Sequence, residues 1–288
     1  MALSDWFSIE NDPLAWAHPS PKLIMTPFEA HWHEIVASTI FYFFIQALSP
    51  AVCTRMVGKA YTGLDRKTKI NFDIHMVSMV QCVVSVVLLV LGSNNAGFRN
   101  RLVDPEGSIL GYSPYLGFVA AITIGYFVWD LFVCIRYFKL FGFSFLFHGA
   151  AALYVFVCSL RPYCLPWAPA FLLFELSTPF VNVNWFATRL PAGTISDTVV
   201  MINGLLLLAT FFFVRIIWGF YAAGLVAYDM YRVFDKAPIF LPLSILALNV
   251  SLDSLNVVWF LKMFRIAKKK LQQNSKTPIP ALKTAKFD

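Results

Sequence analysis

Asp130, His148 and Glu175 are ionisable residues set inside stretches of chain whose other side chains belong in lipid hydrocarbon. A titratable group at that depth is costly unless it faces a protein interior or a water-filled cavity, so it is a functional-site candidate by default. Asp130 ends the run Tyr126-Phe127-Val128-Trp129-Asp130, and His148 closes the run Phe145-Leu146-Phe147-His148. Both stand about five residues from one short connection, which at about 1.5 Å per residue places them roughly 8 Å into the membrane. A helical hairpin would therefore bring an acid and an imidazole to matching depth. Such a carboxylate could fix the imidazole tautomer and support it as a base or a transient acyl carrier. The plainer alternative pairs Asp130 with Arg136 and leaves His148 on a carbonyl or a headgroup.

Glu175 lies in the middle of Phe171-Leu172-Leu173-Phe174-Glu175-Leu176-Ser177-Thr178-Pro179-Phe180. Its available partners are His148, Arg215, Asn182 and Asn184, and an interhelical hydrogen bond is the structural alternative to a ligand role. Arg215 follows Phe211-Phe212-Phe213-Val214 beyond mid-depth. It could snorkel past Trp218 and Tyr221, or neutralise Glu175 or an acidic ligand. Asn249, Asp253 and Asn256 share one side of a helix and must face a bundle interior. The expected site therefore has His148 and Asp130 as its chemical pair, with Glu175, Arg215, Asp253 and Asn182 holding the substrate. Asp73 and His75 stand beside Arg66, Lys67 and Lys69 and read as a solvated boundary. His31 and His33 form an H-x-H at the mouth of the first apolar stretch, but no nearby cysteine or further histidine completes four ligands, so no metal is expected.

These residues need a membrane scaffold to position them. The chain of 288 residues is 58% hydrophobic and only 14% charged, against about 25% charged in soluble domains. Lipid must be its solvent, and an all-α polytopic bundle follows. Seven stretches are long enough to span: about 33–53, 74–92, 115–135, 143–161, 165–183, 199–225 and 240–262. Pro179 is expected to break or kink the fifth near its end. The net charge of +7 does not point to nucleic acid, because Lys and Arg sit in loops and at the C-terminus. Arg55, Lys59, Arg66, Lys67, Lys69, Arg136, Lys139, Arg189 and the Lys and Arg residues from Lys262 onward share one side, leaving the other side sparsely basic. An N-terminus in the lumen and a C-terminus in the cytosol are expected. The first 30 residues are polar, acidic and proline-bearing, so no cleavable signal peptide is expected. Cys158 and Cys164 flank a short connection; they could pair in an oxidising lumen or remain reduced. The basic tail 269–288 is expected to be disordered.

The segments Asp73-Ile74-His75-Met76-Val77-Ser78, Tyr126-Phe127-x-x-Asp130, His148 after its Gly-Phe-rich turn, and Phe174-Glu175-Leu176-Ser177-Thr178-Pro179-Phe180 with Asn182 and Trp185 resemble the TLC-domain family. The similarity covers 65–268, after an N-terminal segment 1–64 that carries one extra span. It is closest to TLC transmembrane proteins of unassigned activity and distant from the ceramide synthases. The resemblance implies six helices in a barrel-like bundle around a lipid-accessible cavity, in the endoplasmic reticulum or a related endomembrane. In the synthases a His-His pair and a later pair of aspartates serve acyl transfer from acyl-CoA to a sphingoid base. Here His148 is followed by Gly149, and Asp197 and Asp229 stand alone. The expected function is lipid or acyl-chain binding in lipid metabolism or homeostasis. Its catalytic form would be acyl transfer with acyl-CoA as co-substrate and no bound cofactor. A lipid sensor, carrier or cargo adaptor is the non-catalytic alternative. Expected partners are membrane lipids and a lipid or acyl-chain ligand, with a homodimer as a further option.

Overall fold

The computed structural model describes residues 9–20, 22–92 and 95–274, and all its regular elements are helical. Helix α1 (Pro27–Val57) starts on a capping box, in which Thr26 Oγ1 accepts from the Glu29 amide while the Glu29 side chain accepts from the Thr26 amide. Helix α2 (Arg66–Leu91) is capped by Asp65, which accepts from the amides of Lys67 and Thr68. Helix α3 (Pro114–Arg136) opens on proline, whose missing N–H costs nothing in a first turn. Gly142, at φ 76°, turns the chain into α4 (Phe143–Ser159), a backbone conformation that a side chain would resist.

The next stretch departs from a continuous span. Leu165–Trp167 and Leu173–Ser177 are 3-10 turns on either side of a short α-turn, Ala168–Leu172. Regular helix α5 runs Thr178–Arg189. Pro179 thus stands in the first turn of a helix, where its missing N–H costs no helical hydrogen bond. It does not break a helix near its end, and α5 continues past the expected boundary at 183. Helices α6 (Asp197–Thr210) and α7 (Trp218–Arg232) are joined without a loop by a π-helical segment, Phe211–Ile217. Helix α8 (Phe240–Asn274) continues beyond 268. The remaining tail, like the first eight residues, lies outside the described residues.

Among the described residues, five helical stretches are long and apolar enough to cross a membrane, and Phe143–Ser159 is a shorter apolar helix. The protein is a multi-pass, all-α membrane protein. Around the bundle, α2 touches α5, α5 touches α6, the π segment touches α8, α8 touches α4, and α4 packs on α3. Helix α1 covers the remaining seam by packing on both α3 and α2. Its approach to α3 is close because Gly125 has no side chain. A Cβ there would collide with Ser38 Cβ, and Ser38 Oγ donates to the Ile122 carbonyl at 2.8 Å. Small residues at such contacts are what helix pairs need in lipid, where no hydrophobic effect drives them together. On the opposite side of α1, Val36, Ile40, Phe44 and Leu48 recur every four residues and are exposed, as a lipid-facing stripe should be.

Candidate functional site

Two features of the chain bring Glu175 and Arg215 together. Glu175 sits in the 3-10 turn that precedes α5, and Arg215 sits in the π-helical segment. A π segment inserts a residue into the helical register and recurs at functional sites. The Arg215 guanidinium donates through Nε to Ser177 Oγ at 2.8 Å and through Nη2 to Thr178 Oγ1 at 3.2 Å. It also lies over the rings of Phe211 and Phe174, at 5.2 and 5.9 Å. Arg215 is therefore held inside the bundle and does not snorkel.

His148 from α4, Glu175, Arg215 and Asp253 from α8 line one cavity of about 80 Å³. Gln81, Thr123 and Asn249 add neutral polar groups; Phe127, Phe156, Phe171, Leu172, Phe174 and Leu252 supply apolar wall. Among the described residues, no ion pair within 4.0 Å joins Arg215 to Glu175 or Asp253. Their charges face the shared space. The expected polar face of α8 is present: Asn249, Asp253 and Asn256 are all buried. His148 is half-buried, with Phe127 and Trp259 against its ring at centroid distances of 6.3 and 5.5 Å.

Two of the expected site residues stand apart from that cavity. Asp130 reaches the neighbour of His148: a Cβ added to Gly149 would lie 2.7 Å from Asp130 Oδ2. No hydrogen bond between Asp130 and His148 is present among the described residues, so the ring's orientation comes from its aromatic neighbours. The carboxylate also explains Gly149 itself, because a second histidine there would have to displace it. Asn182 belongs to a second polar group, where its Oδ1 is 2.8 Å from His75 Nδ1 and its Nδ2 donates to Ser78 Oγ at 3.1 Å. The His75 ring stacks on Trp185 at 4.2 Å. Two of the motif segments, Asp73–Ser78 and Asn182–Trp185, thus meet each other.

The reading of Asp73 and His75 as a solvated boundary is corrected by these contacts. Asp73 is buried and accepts from Ser49 Oγ at 2.9 Å and Tyr61 Oη at 2.8 Å. The basic cluster nearby in sequence concealed partners that come from α1 and from the connection after it. Asp229 was likewise unreadable as a pair. It is fully buried and takes two 2.9 Å bonds from Arg101 and a 2.7 Å bond from Ser108 Oγ. All five cysteines are free thiols, Cys158 and Cys164 included.

A family model described as TLC domain matches residues 71–265. The topoisomerase I damage affected protein 4 of Saccharomyces cerevisiae is 41% identical over 83% of this chain and 85% of its own length. A TLC domain-containing protein of Schizosaccharomyces pombe is 38% identical over 88% of this chain and 85% of its own. The human TLC domain-containing protein 4 is 38% identical over half of this chain and 55% of its own. No solved structure matches the chain. With a family model across most of its length and relatives this similar, the chain belongs to the TLC-domain family of membrane proteins.

Proposed function

We propose that the bundle binds the polar head of a lipid or acyl chain between His148, Glu175, Arg215 and Asp253, and that the protein acts in lipid metabolism or homeostasis. The observation that carries this reading is the convergence of four ionisable side chains from four segments on one cavity inside an apolar bundle. At about 80 Å³, the space suits two or three waters at about 30 Å³ each, or the head of an amphiphile, with its chains lying along the helices. Arg215 spends Nε and Nη2 on Ser177 and Thr178, which leaves Nη1 to donate to a carbonyl or an anion. Glu175 and Asp253 would accept from an amine or a hydroxyl. The ligand is therefore an amphiphile whose head carries both donors and acceptors.

His148 favours a catalytic form of the same site, because its ring borders the cavity while, among the described residues, no hydrogen bond ties it to a neighbour. In acyl transfer from a thioester such as acyl-CoA, His148 takes the proton of the attacking O–H or N–H as the new bond to the acyl carbon forms. The C–S bond then breaks and the departing thiolate is protonated, while Arg215 stabilises the oxyanion between the two steps. Asp130, without a bond to the imidazole, would act on it only at a distance. The non-catalytic reading, a sensor, carrier or cargo adaptor, uses the same cavity without turnover. The distribution of Lys and Arg supports a cytosolic C-terminus and a lumenal N-terminus, and the resemblance to the TLC family implies the endoplasmic reticulum or a related endomembrane.

Native mass spectrometry of the purified protein and its His148→Ala and Arg215→Gln variants separates these forms. Lipid should co-purify with the wild type and fall at least tenfold in Arg215→Gln. An acyl adduct or product that depends on added acyl-CoA and disappears in His148→Ala supports catalysis. Lipid retained equally by wild type and His148→Ala, with no adduct, supports a carrier. Wild-type protein free of lipid under all conditions contradicts the proposal.

A further inference from the structure

At the end of the bundle where α1 begins, residues 9–20 run as a strap across neighbouring elements. The Ile9 amide donates to the Leu91 carbonyl at 3.1 Å, and the Tyr115 amide to the Glu10 carbonyl at 3.2 Å. The strap delivers Asp12 to the first turns of α1, where His31 and Glu34 lie one turn apart. The three side chains are all buried, at 7%, 1% and 0% exposure. One donor atom from each lies within 4.8 Å of the others. His31 Nδ1 is 2.8 Å from Glu34 Oε2 and 3.7 Å from Asp12 Oδ2. Donors on a tetrahedral ion with bonds of about 2.0–2.1 Å stand about 3.3 Å apart, and the two distances bracket that value.

Two further observations point to a cation. Glu34 Oε1 is buried with no hydrogen-bond partner, although it belongs to one of two carboxylates sharing an enclosed space, which repel unless something positive lies between them. The other nitrogen of His31, Nε2, is 2.9 Å from the Tyr112 hydroxyl. With the phenol oxygen accepting from Nε2–H, the Nδ1 lone pair is directed at the carboxylates, the outer-shell arrangement of metal-bound histidines. Tyr112, together with Glu10 and Asn11, also lines a cavity of about 520 Å³ at this end, which offers a path for entry. We propose that Asp12, His31 and Glu34 bind one divalent cation of the zinc class and that this ion fastens the strap to α1. One imidazole and two carboxylates match zinc better than calcium, which takes oxygen ligands alone. His33 Nε2 lies 3.9 Å from Glu34 Oε1 and 3.3 Å from the Leu14 carbonyl. The expectation of no metal at H-x-H counted histidines and cysteines. The missing ligands are carboxylates, one of them nineteen positions upstream of His31.

The site shares no residue with the lining of the lipid cavity, and its test stands apart from lipid binding. The full chain in detergent is stripped with a chelator, then titrated with zinc chloride alone, with bound metal counted by elemental analysis and unfolding followed by heating. One zinc per chain is expected, with a higher apparent Tm that the chelator reverses. Asp12→Asn, which alters only the strap, and Glu34→Gln should each weaken binding by at least a hundredfold. Tyr112→Phe should weaken it roughly tenfold. Cobalt should give the visible band of a tetrahedral ion in the wild type. No stoichiometric zinc, or zinc retained equally by Asp12→Asn and Glu34→Gln, overturns the proposal and leaves a shared proton to join the carboxyls. Should Glu34→Gln fail to fold, Asp12→Asn and the cobalt band decide.

Discussion

The Asp130 carboxylate of α3 occupies the space that a side chain at Gly149 of α4 would take. Residue counting gives Asp130 and His148 a common level on the hairpin but not their azimuth. Successive residues on a helix point about 100° apart, and Asp130 meets α4 at Gly149, one residue beyond His148. Gly149→Ala should therefore push the Asp130 carboxylate aside, a strain set against the roughly 1 kcal/mol that alanine gains over glycine inside a helix. The change should be more favourable in an Asp130→Ala background, where nothing has to move, than in the wild type, which thermal unfolding of the single and double variants measures. An equal effect of Gly149→Ala in both backgrounds would place the contact elsewhere. His148, Glu175, Arg215 and Asp253 were legible for a different reason. Each is expensive in hydrocarbon, so each needed an interior, and the bundle has one cavity that takes all four. Asn182 answered the same demand locally, on His75 and Ser78.

At the scale of elements, the informative departures are the broken stretch before α5 and the π segment before α7. The prolines at 166, 169 and 179 mark an interruption in sequence, but each one starts a turn or a helix here. The π segment has no such marker. Phe211-Phe212-Phe213-Val214-Arg215 reads as ordinary apolar helix, and its register follows from packing against the 3-10 turn and α8. Deleting Val214 should return this segment to α-helical register and rotate Arg215 by about 100° relative to α6. The deletion variant is expected to keep its helical circular dichroism and lose the retained lipid, as Arg215→Gln does. Full lipid retention in a folded deletion variant would show that the π register does not set the site.

Across the whole molecule, distant pairs close the end of the bundle that also carries the strap. Arg101, in the connection between α2 and α3, holds Asp229 of α7, 128 positions away, while Trp167 Nε1 donates to Ser108 Oγ at 3.2 Å. Neither span prediction nor charge counting can reveal a partner at that separation, and this is why Asp229 stood alone in the sequence. Removing one member of a buried ion pair strands the other, which costs about 3–5 kcal/mol, whereas an apolar replacement of both is often tolerated. Arg101→Met should thus lower the apparent Tm more than Arg101→Met combined with Asp229→Leu. Equal losses in the two variants would make the pair dispensable.

The proposed function requires a ligand head seated among His148, Glu175, Arg215 and Asp253. A cryo-electron microscopy map of the full chain in lipid nanodiscs addresses this directly. We expect non-protein density inside the bundle within hydrogen-bonding distance of Arg215, continuous with a chain-like feature between helices. A cavity filled by side chains alone, with Arg215 bonded only to protein, would contradict it.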